Sequence, residues 1–297
     1  MSDLLALYHR YCDYSETFSG RSPYTLKGQL CVFKQFVRRT DISELYQMTR
    51  PLIENYILDS KINKNWSPNT IRNTLTTIKS FLEWCKNQGF LSTNPAKEIP
   101  TPKAPKQLPH SLSKEEAMRL LEWLKITKFH YAFERSRGLA MIGIFLYTGI
   151  RRKELLNLKV SQVDFNKHTL FVDSGKGDKD RIIPLNHRLI GFLKAYLKER
   201  EKLGKTTPYF FANLRHNKRM SNQAIRRLFE RLKKESGVYA YPHLLRHTFA
   251  TLMLEGGCEI YALSKMLGHS DIKTTTIYLS VSMRHSREQI HKHPLSY

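Results

Sequence analysis

The chain has 297 residues, enough for about two domains, and 41% of them are hydrophobic. With 15 Phe, 15 Tyr and 3 Trp it can bury a sizeable core, which excludes wholesale disorder. The formal net charge of +23 points to a polyanionic partner, with a merely basic globular protein as the plainer reading.

The charge is unevenly spread. Residues 1–100 carry 13 Lys and Arg against 9 Asp and Glu, whereas residues 101–250 carry 31 against 13. Dispersed cations replace the counterions condensed on phosphates, so nucleic acid is the leading partner class. A membrane surface fits less well, because the sequence offers no basic amphipathic end helix and no lipidation signal. The N-terminus, MSDLLALYHRYC, has neither the basic start nor the long apolar core of a signal peptide. The longest apolar run, Leu139 to Ile150, is too short to span a bilayer and breaks at Thr148-Gly149. Cysteines 12, 31, 85 and 258 lack metal or redox spacing and read as reduced thiols, which suits a cytoplasmic protein.

In chain order, the first half reads as several helices. Two echo each other at an offset of 45 residues: SPYTLKGQLCVFKQFV from Ser22 and SPNTIRNTLTTIKSFL from Ser67. Serine can cap each start and proline suits the first helical position. Leu26, Leu30, Phe33, Phe36 and Val37 match Ile71, Leu75, Ile78, Phe81 and Leu82 at helical spacing, so these residues are core. Lys27 and Lys34 match Arg72 and Lys79 on the flanks, either lining a groove or facing solvent. Gly89 suits the end of the second helix. Residues 93–110, TNPAKEIPTPKAPKQLPH, hold five prolines and read as a linker between a helical domain, 1–92, and a second domain, 111–297.

The second half opens with a capping box, Ser113 to Glu116. Helices are expected around 132–147, 151–159, 186–200, 221–235, 243–255 and 259–267. Between the second and third of these, HTLFVDSGKGDKDRIIPL has strand formers on both sides of a glycine-rich turn and predicts a β-hairpin. The fold class is therefore mainly α, with a small antiparallel β-sheet in the second domain.

Several polar groups stand out from these apolar patterns. Arg151 follows the Thr-Gly break in LYTGIRRKELLNL, and Lys176 lies between glycines on the hairpin turn. His243 and Arg246 fall three apart on one helix, His269 follows Gly268, and Tyr278 lies nine residues on. Each has a plain structural explanation: Arg151 could simply pair with Glu154, and a turn lysine is normally solvated. Together they form a set with a use. Two arginines can clamp the non-bridging oxygens of a phosphodiester, and those bonds tighten as charge builds in the transition state. The histidines can donate to the same oxygens or shuttle a proton, the lysine can protonate a departing oxygen, and a tyrosine can attack phosphorus. No metal-ligand cluster and no nucleotide-type phosphate loop accompanies them, so neither metal nor cofactor is expected.

The four segments TGIRRKELLNL, GKGDKDRIIPL, HLLRHTFATLMLEGG and LGHSDIKTTTIY, in this order, resemble the tyrosine recombinase (phage-integrase-like) family, most of all the compact Xer-type site-specific recombinases. The resemblance implies a SAM-like helical core-binding domain, a linker and a catalytic domain with a C-terminal tail. It implies that Arg151 and Arg246 bind phosphate and that Lys176 is the general acid towards the leaving 5′ oxygen. His243 and His269 would complete the pocket, and Tyr278 would be the nucleophile that forms a 3′-phosphotyrosyl link. Glu154 would orient Arg151. Arg152 departs from the usual smaller neighbour and either adds a phosphate contact or faces water. Arg72, Asn73 and Thr76 are candidates for reading bases. A double-stranded DNA recombination site, a homo- or hetero-tetramer on DNA, a possible accessory activating protein and a nucleoid-associated location are further implications. The tail, MRHSREQIHKHPLSY, would dock on a neighbouring protomer, and the absence of a preceding arm-binding domain speaks against the large phage integrases. A type IB topoisomerase-like enzyme and a DNA binder that has lost activity are the alternatives.

Overall fold

The computed structural model describes residues 3–103, 110–173, 180–269 and 271–278. The chain divides into two compact units, 1–107 and 108–297.

The first unit is a four-helix assembly of α1 (Asp3–Ser19), α2 (Pro23–Thr40), α3 (Arg50–Lys64) and α4 (Pro68–Asn87). Ser22 and Ser67 cap α2 and α4, each accepting from the backbone N–H three residues on, with proline in the first turn. The two related helices bury the same face: Leu26, Phe33, Phe36 and Val37 on one, Ile71, Leu75, Ile78, Phe81 and Leu82 on the other. An aromatic stack of Tyr8, Phe33 and Phe81 ties α1 to both, with the first two rings 3.9 Å apart and near parallel. Helix α4 ends at Asn87, and Gly89 follows with φ of 78°. Packing runs past residue 92 into the proline-rich segment, where Ala96 and Ile99 join the core and Asn94 is buried. Lys79 turns to this segment: its ammonium donates to the carbonyls of Lys97 and Ile99, at 3.4 and 2.6 Å. Arg72, Asn73 and Thr76 lie exposed on α4.

The second unit is built around α6 (Ala132–Thr148), which from Gly138 on is almost wholly apolar and which buries ten residues against α5 (Lys114–Ile126), α8 (His187–Lys202) and α10 (Pro242–Glu255). The Ser113–Glu116 capping box opens α5 with both reciprocal bonds formed. The expected hairpin is two strands of a three-stranded antiparallel sheet. β1 (Val163–Asp164) pairs with β2 (Thr169–Val172), which pairs with β3 (Arg181–Pro184). A two-residue strand carries no alternation to read, which is why β1 escapes the sequence pattern. In β3 the inward residues are Arg181 and Ile183, so an arginine occupies a core-facing position opposite Val172. Helices α7 (Arg152–Asn157), α9 (Asn222–Ser236), α11 (Ile260–Leu267) and α12 (Lys273–Thr276) complete the unit.

Candidate active site

The site assembles where two helices end. α6 terminates at Gly149, which adopts φ of 62°. A Cβ there would lie 2.3 Å from the Phe249 ring, so both the conformation and the space require glycine. The turn places Arg151 at the N-cap of α7. There its backbone N–H donates to Glu154 Oε2 at 2.6 Å and its Nη1 to Oε1 at 3.0 Å. α11 terminates at Gly268, again left-handed with φ of 65°, where a Cβ would meet the Arg181 guanidinium at 2.9 Å.

The last turn of α11 leaves carbonyls without intrahelical partners and carries the negative end of the helix dipole. Three successive carbonyls there accept from three arginines. Arg181 Nε donates to Met266 O at 2.7 Å, Arg246 Nη2 to Leu267 O at 2.7 Å, and Arg151 Nη2 to Gly268 O at 3.3 Å. Arg246 also donates from Nη1 to Gly149 O at 2.7 Å, which links the ends of α6 and α11 through one guanidinium. The three cations stay together because carbonyls, which carry no formal charge, satisfy their N–H groups. The carboxylate of Glu154 is shared between Arg151 and Arg181, with Arg181 reaching both of its oxygens at 3.0 and 2.8 Å. Among the described groups the cluster therefore keeps a surplus of positive charge suited to an anion.

The electrostatics follow from this crowding. Burial and then the charge of Arg151 pull the Arg246 guanidinium down to about 10, still cationic at neutral pH. Burial, then Arg246, Arg151 and Arg152, hold the His243 imidazole below its ordinary value. Burial raises the Glu154 carboxyl, but the hydrogen bonds and charge of Arg181 and Arg151 outweigh it and leave the group below the ordinary carboxylate range.

Arg246 sits inside α10 at 4% exposure, with Leu244, Leu245 and Phe249 buried around it. His243 is on the same helix but exposed, its ring facing that of His247 with centroids 6.0 Å apart. The helix core thus fixes Arg246 and leaves His243 at the surface of the site. His269 Nε2 lies 2.9 Å from Arg246 Nη2 and its Nδ1 lies 2.8 Å from Thr275 Oγ1. A guanidinium cannot accept, so Nε2 accepts from Arg246, and the proton of a neutral ring sits on Nδ1 and is donated to Thr275. Tyr278 is 2% exposed, its ring packed with Phe249, Ala250, Leu254, Leu263 and Leu267. Its hydroxyl lies 2.8 Å from His247 Nδ1. Burial pushes that hydroxyl up, and the charge of Arg246 partly offsets the rise.

The structure thus gathers Arg151, Glu154, His243, Arg246, His269 and Tyr278 into one region of the second unit. Lys176 lies outside the described residues, as does the tail beyond Tyr278. Sequence reasoning missed two contributors. Arg181 was signalled by the inward parity it shares with Ile183 on β3. His247 carried no periodic signal, because its partner is 31 residues away in sequence. Arg152 is exposed and touches the site through its charge on His243. Among the described residues no group of three or more His, Cys, Asp or Glu could hold a metal ion, and no helix is long and apolar enough to cross a membrane.

A helical unit followed by a mostly helical unit with a small sheet is a fold shared with solved structures. The sequence profile of the phage integrase family matches residues 110–285. Tyrosine recombinase XerC of Chlamydia muridarum (strain MoPn / Nigg) is 31% identical, covering 97% of each chain. Tyrosine recombinase XerA of Pyrococcus horikoshii (strain ATCC 700860) is 34% identical over 75% of this chain and 74% of its own. A crystal structure of XerA recombinase is 30% identical with a TM-score of 0.56, covering 98% of this chain and all of the other. The XerH site-specific recombinase bound to palindromic difH substrate has the same fold, with a TM-score of 0.74 at 22% identity over 97% of this chain and 84% of that one. The chain belongs to the phage integrase family.

Proposed function

We propose that the protein is a site-specific tyrosine recombinase of the Xer type, a DNA strand transferase that cleaves and rejoins DNA through a 3′-phosphotyrosyl intermediate. The observation that carries this reading is the convergence of Arg151 and Arg246 on the carbonyl end of α11, beside the buried hydroxyl of Tyr278. Arg151 and Arg246 bind the non-bridging oxygens of the scissile phosphate and stabilise the charge that grows on them. His243 and His269 complete that pocket, and Lys176 protonates the leaving 5′ oxygen. Glu154 holds Arg151, and Arg181 holds Glu154. Tyr278 attacks phosphorus, and the phosphotyrosyl bond conserves the energy of the broken diester, so no nucleotide is consumed.

The first domain and linker, with the charge-rich stretch 101–250, grip double-stranded DNA, and Arg72, Asn73 and Thr76 contribute to base readout. Four protomers assemble on two sites, as homo- or hetero-tetramer, with the tail docked on a neighbour and an accessory activating protein as a further partner. The protein acts in the cytoplasm on the nucleoid, in chromosome or plasmid dimer resolution or in mobile-element integration and excision. The test is a pool of nicked duplexes with randomised arms, incubated with protein and resolved on a denaturing gel. A covalent protein–DNA adduct is expected, lost in Tyr278→Phe. Binding without any adduct would make the protein a DNA binder, and unselective relaxation of plasmids without recombinants would make it a topoisomerase.

A further inference from the structure

His247 follows the buried arginine of α10 directly and touches Tyr278. Its Nδ1 lies 2.8 Å from the Tyr278 hydroxyl, with ring centroids 5.6 Å apart. A phenol that attacks phosphorus must lose its proton, and a free tyrosine ionises near pH ~10. Burial of Tyr278 makes that loss harder still. A proton acceptor touching the hydroxyl removes the difficulty, provided its own nitrogen is unprotonated.

The groups acting on His247 are His243 and Arg246 from its own helix and Tyr278 from the segment after α12. Burial first, then His243 and Arg246, lower the imidazole below its ordinary value, so the ring is neutral at pH 7. A neutral ring with its proton on Nε2 presents the Nδ1 lone pair to the phenol.

We infer that His247 is the general base of strand cleavage: its Nδ1 takes the phenolic proton of Tyr278 as that oxygen bonds to phosphorus. The proposal rests on the recombinase reading given above. The bond between phosphorus and the 5′ oxygen breaks, and that oxygen takes its proton from the general acid, Lys176. In rejoining the steps reverse. The 5′ hydroxyl attacks, its proton goes to the lysine, and His247 returns its proton to the departing phenolate. The field of Arg246 that disfavours the imidazolium makes this return favourable.

The test is the single-turnover rate of adduct formation on a nicked suicide duplex between pH 5.5 and 9.5, for wild type and His247→Gln. Glutamine keeps an acceptor for the hydroxyl but cannot take its proton. The wild-type rate is expected to rise below pH ~6.5 and stay flat from 7 to 9. His247→Gln is expected to be slower at pH 7 by about 10²–10⁴-fold and to climb tenfold per pH unit. A His247→Gln variant as fast as wild type, or one that keeps the plateau, overturns the assignment. If the variant does not fold, the wild-type profile decides: a tenfold climb per unit between pH 7 and 9 overturns it as well. A wild type with no adduct at any pH overturns the recombinase reading itself, an outcome distinct from an adduct with the wrong pH profile.

Discussion

Glu154 is shared by Arg151 and Arg181, and its hydrogen bonds hold the entry to α7 against β3. Removing its charge takes a shared, buried counterion from two guanidinium groups, so Glu154→Gln should cost about 3 kcal/mol of stability, read by urea unfolding. The pH dependence has a definite sign. The folded-state pKa of Glu154 lies below the unfolded one, so its contribution is full above the ordinary carboxylate value and is lost as pH falls through the folded value. The stability gap between wild type and Glu154→Gln should therefore be constant from pH 6 to 8 and shrink below pH ~4.5. An unchanging gap down to pH 3 would contradict the pairing. Arg246 makes a different prediction, because its two nitrogens reach two helix ends at 2.7 Å each. Lysine is a point donor that cannot bridge them. Arg246→Lys should slow cleavage by about 10²–10³-fold. Site binding should change less than about tenfold, since one phosphate contact among several is altered. Equal losses in both measurements would argue against a role in the transition state. Most of these residues were legible in the sequence because polar groups interrupt apolar patterns: Arg151 after the Thr-Gly break, Arg246 amid leucines. Arg181 showed only as an inward position on β3 and His247 not at all, because what defines both is a partner brought close by the fold.

The helix ends decide how well the site is held. Gly149 stops α6, turns the chain to Arg151 and offers its carbonyl to Arg246. Gly149→Ala places a methyl 2.3 Å from Phe249 and strains a left-handed backbone. It should destabilise the second unit by about 2–3 kcal/mol and slow cleavage, measured by unfolding and adduct formation. A variant as stable as wild type would mean that α6 ends in some other way. At this scale the sequence was informative where local chemistry determines the outcome. Ser22, Ser67 and Ser113 each cap the expected helix, and the repeated apolar positions of α2 and α4 both face one core. It was uninformative where the outcome is non-local. β1 is too short for a pattern, and the packing of Ala96 and Ile99 onto the first unit lies within the proline-rich stretch that reads as a linker. Lys79 likewise reads as a groove-lining or solvent-facing flank, and its bonds to the carbonyls of that stretch carry no local signal.

Across the whole molecule the dominant quantity is charge. The excess of Lys and Arg lies in residues 101–250, and Arg151, Arg181 and Arg246 belong to that stretch. If this surplus grips phosphates, affinity for duplex DNA should fall by about 10³–10⁵-fold between 50 and 200 mM salt, as release of counterions requires for roughly six to ten phosphate contacts. A flat response, read by fluorescence anisotropy, would place the DNA elsewhere. The account as a whole comes down to one covalent bond. Trypsin digestion of the trapped adduct, followed by mass spectrometry, should find a nucleotide 3′-phosphate on the peptide that begins at Thr274 and contains Tyr278. A phosphate carried on any other residue, or joined through a 5′ end, would contradict it.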